Sequence, residues 1–418
     1  MKKLLLSLGL LLSFYSVYAG GYRVATQGQR ALAMGHSGVA VVNSAETAFF
    51  NPAGLILLEN KLNVSAGVTG VFNSTSWQNS STGQFSSTER NVSTPFYFYA
   101  SYKVNEWLAA GLSVFTPYGS RVEWETDWPG SHLVNEIELA AIFVQPLISL
   151  KVNDYLSVGG GPIFVTGSVD FNRNLTRSLV DEQGNRANVG ISDSGITNWG
   201  WGASVMFTPT EELKVGFNYR SEIMMDAEGG EATFSNLPNS PLVPSENGVV
   251  PFNASLPLPA EWSLGISYEF SEKFMATVQV DRTLWDVYES LDISFPGTGI
   301  PDAVNPRNYQ NSTVYRVGAQ YKASEQWTIR AGYYFDESPV QSGFFAPETP
   351  RNDGHGFTGG FSFELNDKLA LDFAFLYLRF SEVDESYDFY TEDGVQVPFE
   401  GTFKSNAFLP GIGITYKL

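Results

Sequence analysis

The sequence predicts an all-β fold: a 14-stranded antiparallel transmembrane β-barrel with a short-helical N-terminal hatch plugging the lumen. Three observations lead there. From about residue 61 onward apolar and polar residues alternate with a period of two. Short polar breaks alternate with long ones. One early stretch, ETAFFNPAGLILLEN at 46–60, breaks the alternation. These divide the chain into an export signal (1–19), a hatch (20–60) and a barrel (61–418).

The alternation is clearest in KLALDFAFLYLRF at 368–380. Leu369, Leu371, Phe373, Phe375 and Tyr377 share one face, and Ala370, Asp372 and Ala374 share the other. A sandwich would turn the apolar face inward, whereas a barrel in a bilayer turns it toward lipid and lines the lumen with small or charged residues. LKVGFNYR at 213–220 and VYRVGAQYK at 314–322 repeat the pattern, and a tilted strand needs about 9–11 residues to cross.

The breaks supply the strand number. Tight polar turns are expected at 105–106, 153–154, 208–211, 271–272, 324–325 and 366–367. Between them lie long stretches near 73–91, 120–135, 174–194, 227–257, 285–311, 338–354 and 381–402. Six short connections and seven long ones join fourteen strands, with the short turns on one rim and the long loops on the other. Trp107, Tyr155, Phe274 and Trp327 follow the short turns, where an interfacial aromatic girdle belongs. A propeller would need blades of constant period with a shared motif, and neither occurs. The last strand, GIGITYKL, keeps the alternation but lacks a terminal Phe.

Composition narrows the class. Lys2-Lys3, the apolar run Leu4–Phe14 and Val17-Tyr18-Ala19 form the three parts of a cleaved export signal. Without the two lysines, 23 basic residues stand against 44 acidic ones, a net of −21 that repels nucleic acid. There is no cysteine, hence no disulfide and no thiolate chemistry. No apolar run after the signal approaches the ~20 residues of a membrane helix, which leaves a closed barrel as the way to cross a bilayer.

The stretch 20–60 precedes the first strand. Asn43, with Glu46 three residues on, is placed to cap a short helix. Asn51-Pro52 is placed to end it, and Gly28, Gly35, Gly38 and Gly54 divide the rest. A lumen of fourteen strands is wider than the roughly eight-strand limit that wall side chains can fill, so this segment is expected inside it.

Several motifs resemble the FadL/TodX channels for long-chain fatty acids and hydrocarbons in Gram-negative outer membranes. They are GGYRVATQGQRALAMGHSG at 20–38, Asn51-Pro52-Ala53, FTPYG at 115–119, LPAEWSLGISYEF at 258–270, WTIRAGYYFDESPV at 327–340 and TPRND at 349–353. The resemblance implies a monomeric passive channel in contact with membrane lipid and lipopolysaccharide. Long-chain fatty acids are its first implied cargo; aromatic hydrocarbons, other lipids or a less selective porin are the alternatives. It further implies capture at the outer loops, transfer to a lumen pocket that Tyr22 reaches, and sideways release through a kinked wall strand. Asn51, Pro52, Ala53 and Gly54 would form the hatch and its gate.

Alternation places Arg220, Arg316 and Arg330 on lumen faces, with Asp281 and Asp372. One of these arginines could hold a fatty carboxylate by paired hydrogen bonds; pairing with lumen acids or the hatch is the competing role. Trp124, Trp128, Phe344 and Phe345 in the outer loops could form a capture groove or an outer girdle. The acidic loops show no converging ligand set, so no metal or cofactor is assigned. Three histidines, no HExxH and no GxSxG argue against an enzyme. Ser131-His132 are chain neighbours that point apart on an extended backbone.

Overall fold

The computed structural model describes residues 21–238, 248–392 and 394–418. The expected export signal and the middle of 227–257 lie outside the described residues. The wall is a single antiparallel meander. Its strands are β1 (Leu62–Thr69, resuming at Val71–Gln78), β2 (Phe85–Ser87, Val92–Ser93 and Phe96–Lys103), β3 (Leu108–Glu123) and β4 (Glu136–Asn153). Then come β5 (Leu156–Asn174), β6 (Asn188–Phe207), β7 (Leu213–Arg220 and Ile223–Ser235), β8 (Val249–Leu258 and Glu261–Ser271) and β9 (Phe274–Thr283). The series ends with β10 (Ser312–Lys322), β11 (Trp327–Asp336), β12 (Gly354–Asn366), β13 (Leu369–Phe380 and Val383–Tyr387) and β14 (Phe399–Lys417). Asn63 through Thr69 pair with Lys417 through Gly411, so β1 meets β14 and the ring of fourteen closes. Joining the first strand to the last leaves no free edge at that seam.

All six tight turns and all seven long connections fall where the polar breaks predict. The strands reach further into the long stretches than those breaks suggest. β3 continues to Glu123, β6 begins at Asn188, and β7 and β8 run on to Ser235 and from Val249. A strand of 20 residues such as β6 is about twice the span of a bilayer, so this side of the barrel continues beyond the membrane.

β5, LSVGGGPIFVTGSVDFNRN, shows where the membrane stops. The odd-numbered residues face inward throughout. Near the short-turn rim these are Ser157 and Gly159, while Leu156 and Val158 point out. Past Gly159-Gly160-Gly161 the inward residues become Ile163, Val165, Val169 and Phe171, and the outward ones Asp170 and Asn172. The apolar face therefore changes sides without any change in the strand's phase. Outward-facing Phe164 and Trp199, 5.1 Å apart, sit at the change. Trp107, Tyr155, Phe274 and Trp327 are exposed beside the opposite, short-turn rim.

Candidate functional site

The N-terminal segment is folded into the ring. Two single-turn helices, α1 (Gln29–Leu32) and α2 (Thr47–Phe50), precede a 3₁₀ turn at Pro52–Leu57. α2 stops at Asn51-Pro52 as the sequence suggests. The Asn43–Glu46 cap does not form, because the helix begins one residue after Glu46 and lacks a side-chain cap. The Glu46 carboxylate instead accepts the free N–H groups of Arg30 and Ala31 at the start of α1, each at 3.1 Å. That is the position where a carboxylate satisfies orphan donors and the helix dipole together. Burial nevertheless pushes its pKa up to about 7.

Backbone-to-wall bonds hold the segment in place. The Asn51 side-chain oxygen accepts Ala53 N–H at 3.2 Å, and its amide donates to Val39 O at 2.8 Å and Val205 O of β6 at 3.1 Å. Ala53 N donates to Ser204 Oγ at 2.8 Å, and its carbonyl accepts from Ser149 and Ser157. One residue is thereby tied to β4, β5 and β6. Backbone reaches the wall here because the wall offers glycine: a Cβ on Gly159 would lie 2.6 Å from Ala53 N. Across the ring, Gly35 N donates to Thr358 Oγ1, Ser37 meets Thr277 at 3.1 Å, and Arg30 Nε bonds Asp372 Oδ1 at 2.9 Å. Gly54 is buried against Thr47.

Toward its start the segment meets an irregular piece of wall. β2 and β3 pair from Lys103↔Ala109 to Tyr97↔Phe115, and their ladder then ends. β3 bulges between Phe115 and Tyr118, at Thr116-Pro117, where proline supplies no N–H. Beyond that point β2 pairs with β1 only, until the bridge Thr88↔Trp124. The freed groups of β3 are taken by the N-terminal segment: Val24 N donates to Pro117 O at 2.8 Å and Gly119 N to Tyr22 O at 3.0 Å. A cavity of about 410 Å³ lies behind this gap, bordered by Val92–Phe96 on one side and Thr116–Val122 on the other.

A second, mainly apolar cavity of about 110 Å³ lies nearer the long loops. Tyr22 forms part of its lining, buried edge-on against Trp285 (4.9 Å) and Tyr288 (5.7 Å), with its hydroxyl bonded to Pro257 O. Leu133, Ile137, Phe171, Ile191, Met225 and Leu258 supply apolar walls. Three charges enter: Arg173, Arg307 and Glu348. Arg307 is paired with Glu348 and donates to Tyr387 Oη at 3.0 Å. Among the described residues Arg173 has no carboxylate within 4.0 Å and no side-chain hydrogen bond. The cavity thus carries one unneutralised positive charge. Tyr118 lines both cavities.

The three lumen arginines read from the sequence lie in the other half of the barrel, each already engaged. Arg316 Nε bonds Asp281 at 2.6 Å and its Nη1 reaches Gly35 O. Arg330 donates to Gln320 and to Ser362 (2.6 Å). Arg220 lies 4.1 Å over the Phe49 ring, bonds the Phe49 carbonyl, and pairs with Glu261 at 3.6 Å. None of the three lines the apolar cavity. Alternation marks neither Arg173 nor Arg307: Arg307 lies in the long 285–311 stretch outside any strand, and the inward face of β5 has turned apolar before it reaches Arg173.

Among the loop aromatics, Trp124 and Trp128 stack at 4.0 Å and are 4% and 1% exposed, and Phe345 packs on Phe403. They form the core of the loop layer that covers the lumen. Phe344, stacked on Phe389 at 4.5 Å, is half-buried. His132 sits against Tyr390 and Phe399 with both ring nitrogens unpartnered, and burial pulls its pKa down to about 3. Ser131 Oγ is bonded by Arg186 rather than by His132. This pair has no catalytic geometry.

Residues 10–418 match the family model for outer membrane protein transport proteins (OMPP1/FadL/TodX). An outer membrane protein of Neisseria meningitidis serogroup B is 25% identical over 471 residues, covering 100% of this chain and 98% of its own. The long-chain fatty acid transport protein of Escherichia coli O6:H1 is 21% identical, covering 75% of this chain and 74% of its own. Among solved structures, a FadL homologue of Pseudomonas aeruginosa superposes with a TM-score of 0.81 at 20% identity, over 95% of this chain and all of that one. The toluene transporter TodX of P. putida does so at 0.70 and 16% identity, over 96% and 99%. A closed fourteen-strand wall and a family match along nearly the whole chain agree: this protein belongs to the FadL/TodX family of outer-membrane transporters for hydrophobic compounds, and is a channel rather than an enzyme.

Proposed function

We propose that the chain carries long-chain fatty acids into the cell through a hatch-gated, sideways route. The single observation behind the choice of cargo is Arg173, an unpaired guanidinium in an otherwise apolar cavity. A carboxylate there would gain a charge-assisted, bidentate partner, while its chain gains about 0.8 kcal/mol for each methylene removed from water. An entering molecule passes the loop layer, where Phe344 is the one half-buried member of the sequence-read aromatic set. It settles in the cavity against Tyr22, and the seated segment blocks further movement.

Residues 21–27 act as the gate, and Asn51–Gly54 as the fixed anchor. Withdrawal of Tyr22 and Val24 from β3 would join the two cavities past Tyr118 and open the unpaired β2–β3 edge to lipid. Such an exit spares the acyl chain a second exposure to water. Size supports the need for movement. The seated cavity, about 110 Å³, is below the roughly 150 Å³ in which an apolar void takes up benzene. A long acyl chain fits only after the seated segment moves. The small, mainly apolar cavity also supports a second reading, in which the cargo is a single-ring hydrocarbon, which needs far less added room than an acyl chain.

The test is uptake of labelled oleate, toluene and a small sugar by a host stripped of its own fatty acid channel. Arg173→Gln should lower oleate uptake at subsaturating concentrations roughly tenfold or more, the loss of a hydrogen bond to a charged group, and leave toluene unchanged. Toluene without oleate in the wild type moves the cargo to hydrocarbons. Free passage of sugar would make the protein a porin.

A further inference from the structure

The side cavity contains a feature that a plain apolar exit does not need. Arg351, from the loop between β11 and β12 and from the TPRND motif, lines it. Its guanidinium has no carboxylate within 4.0 Å and no side-chain hydrogen bond among the described residues; the Phe380 ring lies 6.0 Å away. Its side chain is half-buried and borders the cavity. Asp336 lies in the same cavity but is engaged by Arg23 of the N-terminal segment at 3.8 Å. Leu376, Leu378 and Leu409 line the same space. A cation left without a partner in a half-buried, partly apolar space is costly unless something anionic visits.

We propose that Arg351 forms a second binding station, which takes the anionic head of a single-chain amphiphile in the side cavity while its tail lies toward the gap between β2 and β3. The inference rests on the proposed passage of acids. Cargo is then handed from Arg173 to Arg351 as the segment withdraws, and its charge is matched along the route. When Arg23 leaves with the segment, Asp336 is released and competes for Arg351. This returns the station to an empty, self-neutralised state after each passage.

Equilibrium binding of ¹⁴C-laurate and of labelled dodecanol to the purified protein in phosphatidylcholine nanodiscs tests this. Folding of each variant is confirmed by its heat-modifiable mobility. The wild type is expected to bind two laurates. Arg351→Gln should lose one, by weakening it at least tenfold, and Arg173→Gln the other. Arg351→Lys should retain both, because charge rather than packing on Phe380 holds the head, and dodecanol binding should not respond to Arg351→Gln. One laurate in the wild type, lost in Arg173→Gln and untouched by Arg351→Gln, overturns the second station and leaves the proposed function standing. No laurate at all overturns both. Loss of the second laurate in discs containing phosphatidylglycerol would assign the site to membrane lipid and overturn its role for cargo.

Discussion

The two halves of the barrel are built on opposite rules. Near the short turns the wall is apolar outside and polar inside; near the long loops it is polar outside and apolar inside. β5 contains both, with Ser157 inward and Leu156 outward at one end, and Phe171 inward and Asp170 outward at the other. The cause is what each surface touches: lipid outside the lower wall, water outside the upper one. The interiors differ accordingly. The lower lumen receives a folded peptide whose backbone needs partners, so Ser149, Ser157, Ser204 and Thr358 supply them, and Asp372 takes the Arg30 side chain. The upper lumen is lined to hold something apolar. Arginine sorts the same way. Arg316 has its carboxylate, while Arg173 and Arg351 have none among the described residues. On the proposed function, Arg173 and Arg351 are the two positions where an anion would bind.

The largest break in that comparison should come from Arg30→Met. It leaves Asp372 without its buried partner, a change worth about 3–5 kcal/mol, and the segment should leave its seat. Single-channel conductance should rise and the host should become sensitive to large polar antibiotics. A silent Arg30→Met would show that the segment is held by shape alone.

A smaller effect, about 1–3 kcal/mol from overpacking, is expected of Gly159→Ala, whose new methyl meets the Ala53 backbone. Gly190→Ala in the upper wall, whose nearest neighbour would be Asn172 at 3.6 Å, should leave conductance unchanged. The pair tests directly whether only the lower wall needs glycine.

The smallest effect is pH dependence of the seat. Glu46 is raised to about 7 by burial, so the seated form binds its proton more tightly than the released form, whose carboxyl titrates near its ordinary value. The seat is therefore favoured below about pH 4.5 and weakens as pH rises through 7. Hydrogen exchange of residues 28–50, corrected for intrinsic rates, should show less protection at pH 8 than at pH 5. Glu46→Gln should flatten the difference.

Strand number was legible because turns announce themselves locally: Asn105-Glu106 or Asn366-Asp367 needs no knowledge of its partner strand. The interior was legible only in outline. That Arg316 faces the lumen follows from its neighbours Tyr315 and Val317, but its bond to Asp281 joins positions 35 residues apart. Its contact with Gly35 joins positions 281 apart, and no pattern carries such a pairing. Arg173 was hidden for another reason: its strand changes solvent halfway, and a rule of polar inside and apolar outside holds only where lipid is outside. Trp124 and Trp128, expected in a capture groove or an outer girdle, are a stacked and buried pair because the loops pack on one another.

The central claim is that cargo passes only when residues 21–27 leave β3. Arg23 and Tyr118 face each other in an antiparallel bridge, with Cα atoms in a non-hydrogen-bonded pair about 4.5 Å apart, within disulfide range. The chain has no cysteine of its own to interfere. Oleate uptake by Arg23→Cys/Tyr118→Cys should be abolished by oxidation and restored by dithiothreitol, while Ser37→Cys/Thr277→Cys, which locks the anchored part, transports in both states. Equal uptake by the oxidised and reduced Arg23–Tyr118 variant would contradict the account, because the cargo would then be passing a gate that cannot open.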